Sequence, residues 1–320
     1  MSDLLSAFEI TFPIVLIAVI GWLARLYLKF PENSELVLTR YVVYLAAPAS
    51  LILSIADSKL EEILQPKLFL ATILAYAVAF AGIVFIHRYL LRRSLGDSAF
   101  AGFTVAKFNL IIIGLPLVIS AVGTQGTPAL VINGFVSYLL LTPFVLFLHG
   151  ISGDGSKSAA SPVEAILHGA KETITNPLII ASLLGLALLL LSISIPDILQ
   201  SPLDTIGKSV VPAGLIAVGL SIRQIKPANW GMEIWLMSIA KVLVVPVIAI
   251  GIALLLDLDP HSATSLVLLF SVPTAVVAYA LSQEVKAYAH ESGEIVVLTT
   301  ILGAITIPLT LLLCKLIWGV

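Results

Sequence analysis

Charge is what this chain has least of. Only 11% of its 320 residues are Asp, Glu, Lys or Arg, against about 25% in a soluble domain. Together with 59% hydrophobic residues and a mean hydropathy of +1.09, this excludes a soluble globular protein. A formal net charge of −2 argues against a nucleic-acid partner. The single cysteine, Cys314, excludes an internal disulfide and any cysteine-based metal cluster; near the end of an apolar run, it reads as plain packing. No acidic residue occurs between Asp97 and Asp154, and no pair of intramembrane aspartates is present to carry protons. Catalytic signatures are missing too. The "GKS" at 207–209 superficially resembles a phosphate loop, but Pro202 stands where glycine is required, and "HESGE" at 290–294 is not H-E-x-x-H. ATPase and intramembrane-protease activities are therefore not expected, nor is any enzyme activity or resident cofactor.

What is present is a succession of apolar runs of about 20 residues or more, the length of membrane-crossing helices and not of alternating outer-membrane strands. Ten candidates are read at roughly 6–28, 36–56, 67–90, 98–121, 127–149, 163–194, 202–222, 230–256, 262–283 and 293–318. No short apolar core with a small-residue cleavage site opens the chain, so the first run is read as a retained helix. The most polar interior stretch, "GISGDGSKSAASP" at 150–162, reads as a linker between halves 1–149 and 163–320. Eleven basic residues, among them Arg25, Arg40, Arg88, Arg92, Arg93 and Lys157, fall on one side; Lys59, Lys67, Lys208 and Lys315 fall on the other. The richer side is assigned to the cytoplasm, which places the linker inside and both termini outside an inner membrane.

The halves share their prolines. Pro13 pairs with Pro177 and Pro48 with Pro212, each 164 residues on, and Pro143 pairs with Pro308 at 165. The flanks agree, "PASLI" around Pro48 matching "PAGLI" around Pro212. Duplication of a unit with an odd number of spans gives an inverted repeat, an architecture common among secondary carriers. Spans three and eight lack such a match, since Pro66 and Pro246 do not align. Pro116 and Pro273 lie 157 apart in spans four and nine and are expected to break those helices. Broken helices are tolerated in lipid only where they are buried in protein or line a wet cavity, so this pair is expected to mark a binding site.

Polar residues in these spans complete the expectation. Lys107 lies about ten residues beyond Asp97, roughly 15 Å along a helix, near the bilayer centre, where a lysine costs about 2.5–3.5 kcal/mol unless it faces a partner or cavity. Lys241 in span eight is comparably deep. Asn109 offers both donor and acceptor. Ser271 and Thr274 flank Pro273, and Ser50 follows Pro48. The candidate substrate-binding set is therefore Lys107, Asn109, Pro116, Ser271, Pro273, Thr274, Ser50 and Lys241. Two deep cations with no intramembrane acids favour an anionic cargo, although carbonyls, Asn and Ser leave Na⁺ or H⁺ open as a coupling ion.

At "FNLIIIGLPLV" in span four the chain resembles the auxin efflux carrier family, which has an asparagine seven residues before Gly-x-Pro-Leu; Asn109, Gly114, Pro116 and Leu117 match. "PASLIL", "KVLVVP", "VPTAVVAYALSQE" and "LTTILGAITIPL" look like family segments as well. Leu110 stands where the family usually has threonine, which bears on the polarity of the pocket. The resemblance implies ten transmembrane helices in two inverted five-helix repeats, with helices four and nine crossing at their prolines. It also implies a crossover domain (spans three to five and eight to ten) that moves against a scaffold of one, two, six and seven. Implied substrates are organic anions: auxin in plants, dicarboxylates such as malate or malonate in bacteria. The expected function is a secondary transporter of a small organic carboxylate, its partners the bilayer, the anion and, as a possible assembly, a second copy of the chain. The rival readings are a Na⁺- or H⁺-coupled symporter of the bile-acid type and a membrane ligand sensor. The short linker leaves no room for the signalling domain that a sensor requires.

Overall fold

The computed structural model describes residues 2–28, 30–31, 34–57, 65–152, 175, 177–221 and 230–319. Most of the expected linker (153–162), the start of expected span six (163–174) and the orientation markers Lys29, Lys59, Lys157, Lys171, Arg223 and Lys226 lie outside these residues.

Among the described residues the chain is all helical, with a single isolated β-bridge. The helices are α1 (Ser2–Tyr27), α2 (Ser34–Ala56), α3 (Pro66–Leu90), α4 (Leu95–Ala106), α5 (110–122), α6 (127–151), α7 (Pro177–Leu190), α8 (197–221), α9 (Met232–Leu255), α10 (Pro260–Ser271), α11 (Val276–Val285) and α12 (Ala289–Trp318). Five stretches are long and apolar enough to cross a bilayer: α2, α3, the run Leu110–Ile151 that joins α5 to α6, α9 and α12. Two of the ten expected spans are divided. Span four comprises α4 and α5, and span nine comprises α10 and α11. At 12 residues each, α4 and α10 extend about 18 Å, against a hydrocarbon core of about 30 Å.

Proline shapes the unbroken helices in a consistent way. Pro48, Pro116, Pro143 and Pro246 each follow by two residues a widened π turn, at Val42–Ala46, Leu110–Gly114, Val136–Leu141 and Ala240–Val244. Proline lacks an N–H and collides with the carbonyl four residues back. A π turn in that position reroutes the carbonyl and lets the helix continue. Pro246 thus belongs with the kinks, although it has no partner in the first half.

Glycines set the closest helix contacts. α1 packs on the second part of α8, where a Cβ built at Gly219 would lie 2.0 Å from the Ala18 carbonyl oxygen and 2.8 Å from the Gly21 Cα. α7 packs on α2 at Gly185, against Ile52 and Ile55. α2 meets α8 at Gly207 against the Ser50 backbone, with Tyr41 Oη 2.6 Å from Ser209 Oγ. Arg25 joins this group by pairing with Glu35 at 3.0 Å and donating to the Leu220 carbonyl at 2.9 Å. The remaining helices form a second group in which α3 packs on α4, α9 on α10, α4 on α6, α10 on α12, and α3 on α9. A polar cluster closes one end of this second group. Fully buried His87 lies 3.1 Å from Ser98 Oγ and 3.0 Å from Glu233, which also pairs with Arg93 at 2.7 Å.

Candidate functional site

The two divided spans meet at their breaks. α4 begins at the Ser94 cap, whose Oγ accepts from Asp97 N–H at 3.0 Å, and ends where Lys107 N–H donates to the Phe103 carbonyl at 2.8 Å. α10 begins at the Asp259 cap, which accepts from Ser262 N–H at 3.0 Å, and ends at Ser271. Beyond these points both chains run extended for a few residues and pair antiparallel, Phe108 against Thr274. Asn109 N–H donates to the Pro273 carbonyl at 2.9 Å, and Ala275 N–H donates to the Lys107 carbonyl at 3.1 Å. Further freed groups find side chains: Thr274 Oγ1 donates to the Thr104 carbonyl at 2.9 Å, and Thr299 Oγ1 accepts from Thr274 N–H at 3.2 Å. These bonds satisfy backbone groups freed at the crossing, as an apolar surrounding demands.

This geometry corrects the proline assignment. The antiparallel bridge places Phe108 opposite Thr274, Asn109 opposite Pro273 and Lys107 opposite Ala275. Pro273 is therefore at the crossing and Pro116 is not. Pro116 is buried inside α5, behind its π turn, and its ring sits 3.0 Å from a Cβ built at Gly214 of α8. Pro273 immediately precedes Thr274 of the bridge, whereas Pro116 lies eight residues beyond Phe108, so the two prolines do not meet.

Both deep lysines are buried around the crossing. Lys107 Nζ lies 3.9 Å from the Tyr138 ring centre and 5.4 Å from that of Phe103, and donates to Thr142 Oγ1 at 3.3 Å. Lys241 lies in the π turn of α9, fully buried; its Nζ reaches the Phe270 carbonyl at 3.4 Å and stands 5.3 Å from the Phe108 ring centre. Among the described residues no carboxylate pairs with Lys241. Aromatic faces and carbonyls hold these cations, and Tyr76 completes the layer by stacking on Phe108 at 5.8 Å and meeting Phe270 at a tilt, 4.8 Å between ring centres. Nothing in the local sequence around Tyr76, Tyr138, Phe108 or Phe270 marked them; only the long-range pairing does.

The other expected residues divide. Asn109 is half-buried and caps α5, its Oδ1 accepting from Ile112 N–H at 3.2 Å. Its Nδ2 has no partner among the described residues, which leaves a free donor beside a positive helix end. The first turn of α5 packs against the π turn of α2 and the second part of α8, so this donor lies at the seam between the two helix groups. Thr274 is occupied within the crossing, and Ser271 bonds back to the Leu268 carbonyl at 2.7 Å. Ser50 stands apart, in the wall of a polar cavity of about 780 Å³ that also includes Asp57, Thr124, Asp197, Asp204 and Lys208.

The family model described as "Membrane transport protein" matches residues 6–311. The chain belongs to the membrane transport protein family. This is the auxin efflux carrier family that the span-four string resembles. Proteins it is similar to include one of Rhizobium meliloti (strain 1021) named "Putative malonate transporter", 27% identical over 296 residues, covering 90% of this chain and 89% of that one. Another is the "Uncharacterized transporter YfdV" of Escherichia coli (strain K12), 21% identical over 309 residues, covering 95% and 96%. A third, "Uncharacterized transporter MJ1031" of Methanocaldococcus jannaschii, is 21% identical over 286 residues, covering 85% and 87%. The chain is thus a multi-pass membrane transporter, and membership of this family agrees with a non-enzyme.

Within the family fold, Asn109→Ala should separate two effects. Loss of the cap costs about 1 kcal/mol of stability, a small shift in the melting temperature. Loss of the free Nδ2 should weaken ligand binding by a larger factor, measured by titration. Equal binding by both proteins would remove Asn109 from the site.

Proposed function

We propose that this protein is a secondary transporter that moves a small organic anion, a mono- or dicarboxylate of the malonate class, by alternating access. The observation that carries this reading is the free Asn109 Nδ2 beside the α5 N-terminus, with Lys241 buried behind the same crossing and paired with no described carboxylate. A carboxylate there would accept from Asn109 and face the positive helix ends of α5 and α11. It would also offset the positive potential of Lys241 and Lys107 without touching either. The name of the R. meliloti relative favours a dicarboxylate. Pro273, Thr274 and Ser271 would shape the crossing, Pro116 the sliding contact with Gly214, and Ser50 the access path.

Alternating access also calls for ten spans in two inverted halves, 1–149 and 163–320. The packing supports that reading, because α1 on α8 exchanges with α7 on α2, α3 on α4 with α9 on α10, and α4 on α6 with α10 on α12. The Ser94 and Asp259 caps and the reciprocal hydrogen bonds at the crossing exchange in the same way. The group α1, α2, α7 and α8 would be the scaffold and the other group the moving body. The end carrying Arg88, Arg92 and Arg93 would face the cytoplasm, with both termini outside.

A thermal-shift screen of mono- and dicarboxylates on the purified protein tests the cargo class. Malonate or a close relative should raise the melting temperature saturably, and Asn109→Ala should blunt that rise. A screen in which organic cations stabilise and no carboxylate does would overturn the proposal.

A further inference from the structure

We propose that the membrane-facing groove between α3 and α6 is a binding site for an anionic phospholipid, one acyl chain lying in the groove and the phosphate held at Arg88 and Arg92. The groove has a volume of about 750 Å³, and its walls, Ile73, Ala77, Phe80, Val84, Phe144 and Leu148 among them, are almost wholly apolar. Ala77 and Ala81 keep one wall low where bulkier residues would fill it. A concavity of this kind on a membrane-crossing helix faces hydrocarbon, and an acyl chain is what the bilayer supplies to it. From Ile73 to Tyr89 the groove follows about 24 Å of helix, close to the roughly 20–22 Å of one leaflet with its headgroup zone.

Charge complementarity gives the occupant its sign. The groove ends at Tyr89, 68% exposed, where an amphipathic ring sits at headgroup level. Arg88 and Arg92, both exposed, flank that end. Arg93 is taken by Glu233, whereas Arg88 spends one nitrogen on the Arg93 carbonyl at 2.7 Å and neither Arg88 nor Arg92 pairs with a described carboxylate. Two guanidinium groups at the interface match a phosphodiester carrying net negative charge. The inner wall is Tyr76, the ring that stacks on Phe108 and packs at a tilt against Phe270, so the bound chain would lie one side chain from the crossing.

The test compares phosphatidylglycerol with phosphatidylcholine of the same acyl chains, added to full-length protein in neutral detergent and read by native mass spectrometry and thermal melting. Phosphatidylglycerol should be retained at least several-fold more and raise the melting temperature further. Arg88→Gln with Arg92→Gln should erase that preference, and Ala77→Trp should reduce retention of both lipids. If Ala77→Trp fails to fold, the arginine pair, being exposed, still decides. Equal retention of the two lipids by the unaltered protein, or a preference that survives the arginine changes, would overturn the proposal. So would an Ala77→Trp protein that loses a second copy of the chain in place of a lipid.

Discussion

Lys241→Met is expected to lower carboxylate uptake by about tenfold or more while the melting temperature holds or rises. The two parts have different origins. Lys241 is fully buried and paired with no described carboxylate, its ammonium held by the Phe270 carbonyl at 3.4 Å and the Phe108 ring. A buried charge is costly, and methionine of similar shape removes that cost, as replacing buried ions by apolar residues often does. For an anion at the crossing the same charge is favourable. At a separation on the order of 10 Å and an effective dielectric constant of about 20, it contributes about 1.7 kcal/mol, more than tenfold in affinity. Lys107→Met should also weaken uptake, with some loss of stability because the Tyr138, Phe103 and Thr142 contacts go with it. Unchanged uptake in both variants would make the lysines purely structural.

Gly219→Ala should damage the fold more than any other single methyl group. The added Cβ would meet the Ala18 carbonyl oxygen at 2.0 Å, the Trp22 nitrogen at 2.7 Å and the Gly21 Cα at 2.8 Å. All three are backbone atoms of α1 and no rotamer relieves them, so α1 and α8 must separate. Overpacking typically costs 1–3 kcal/mol; here about 3 kcal/mol or more is expected, read as a lowered melting temperature and yield. Gly251→Ala supplies the contrast. Nothing lies within 4 Å of its Cβ, and alanine is the better helix former by about 1 kcal/mol, so that variant should be neutral or stabilised. Equal melting of the two variants would contradict the close α1–α8 packing.

Much of this architecture was legible in the sequence. Apolar runs of about 20 residues pointed to an all-helical membrane chain, and the helices among the described residues agree. The position of the crossing was misread, for a physical reason. Proline signals a lost hydrogen bond, but a helix absorbs that loss through a π turn, as at Pro116, and need not break. The real break at Lys107–Asn109 is made by tertiary pairing with Pro273–Ala275, which has no local propensity signal, and by the Asn109 cap, a favoured N-cap residue hidden within an apolar run. Lys107 and Lys241 were legible because a deep lysine is conspicuous in lipid. Their holders were not, since Tyr138, Phe108 and Phe270 read as ordinary apolar positions until the fold brings them to the ammonium groups. Ser271, prominent beside Pro273, turned out to satisfy itself on its own helix.

The most direct measurement is uptake of radiolabelled malonate into proteoliposomes, with Lys241→Met and Asn109→Ala run in parallel. Carboxylate binding at the crossing predicts saturable uptake that other small dicarboxylates compete away, reduced about tenfold or more in both variants despite intact folding. Uptake of malonate and its relatives no faster than into protein-free vesicles, or saturable uptake that both variants retain in full, would contradict it.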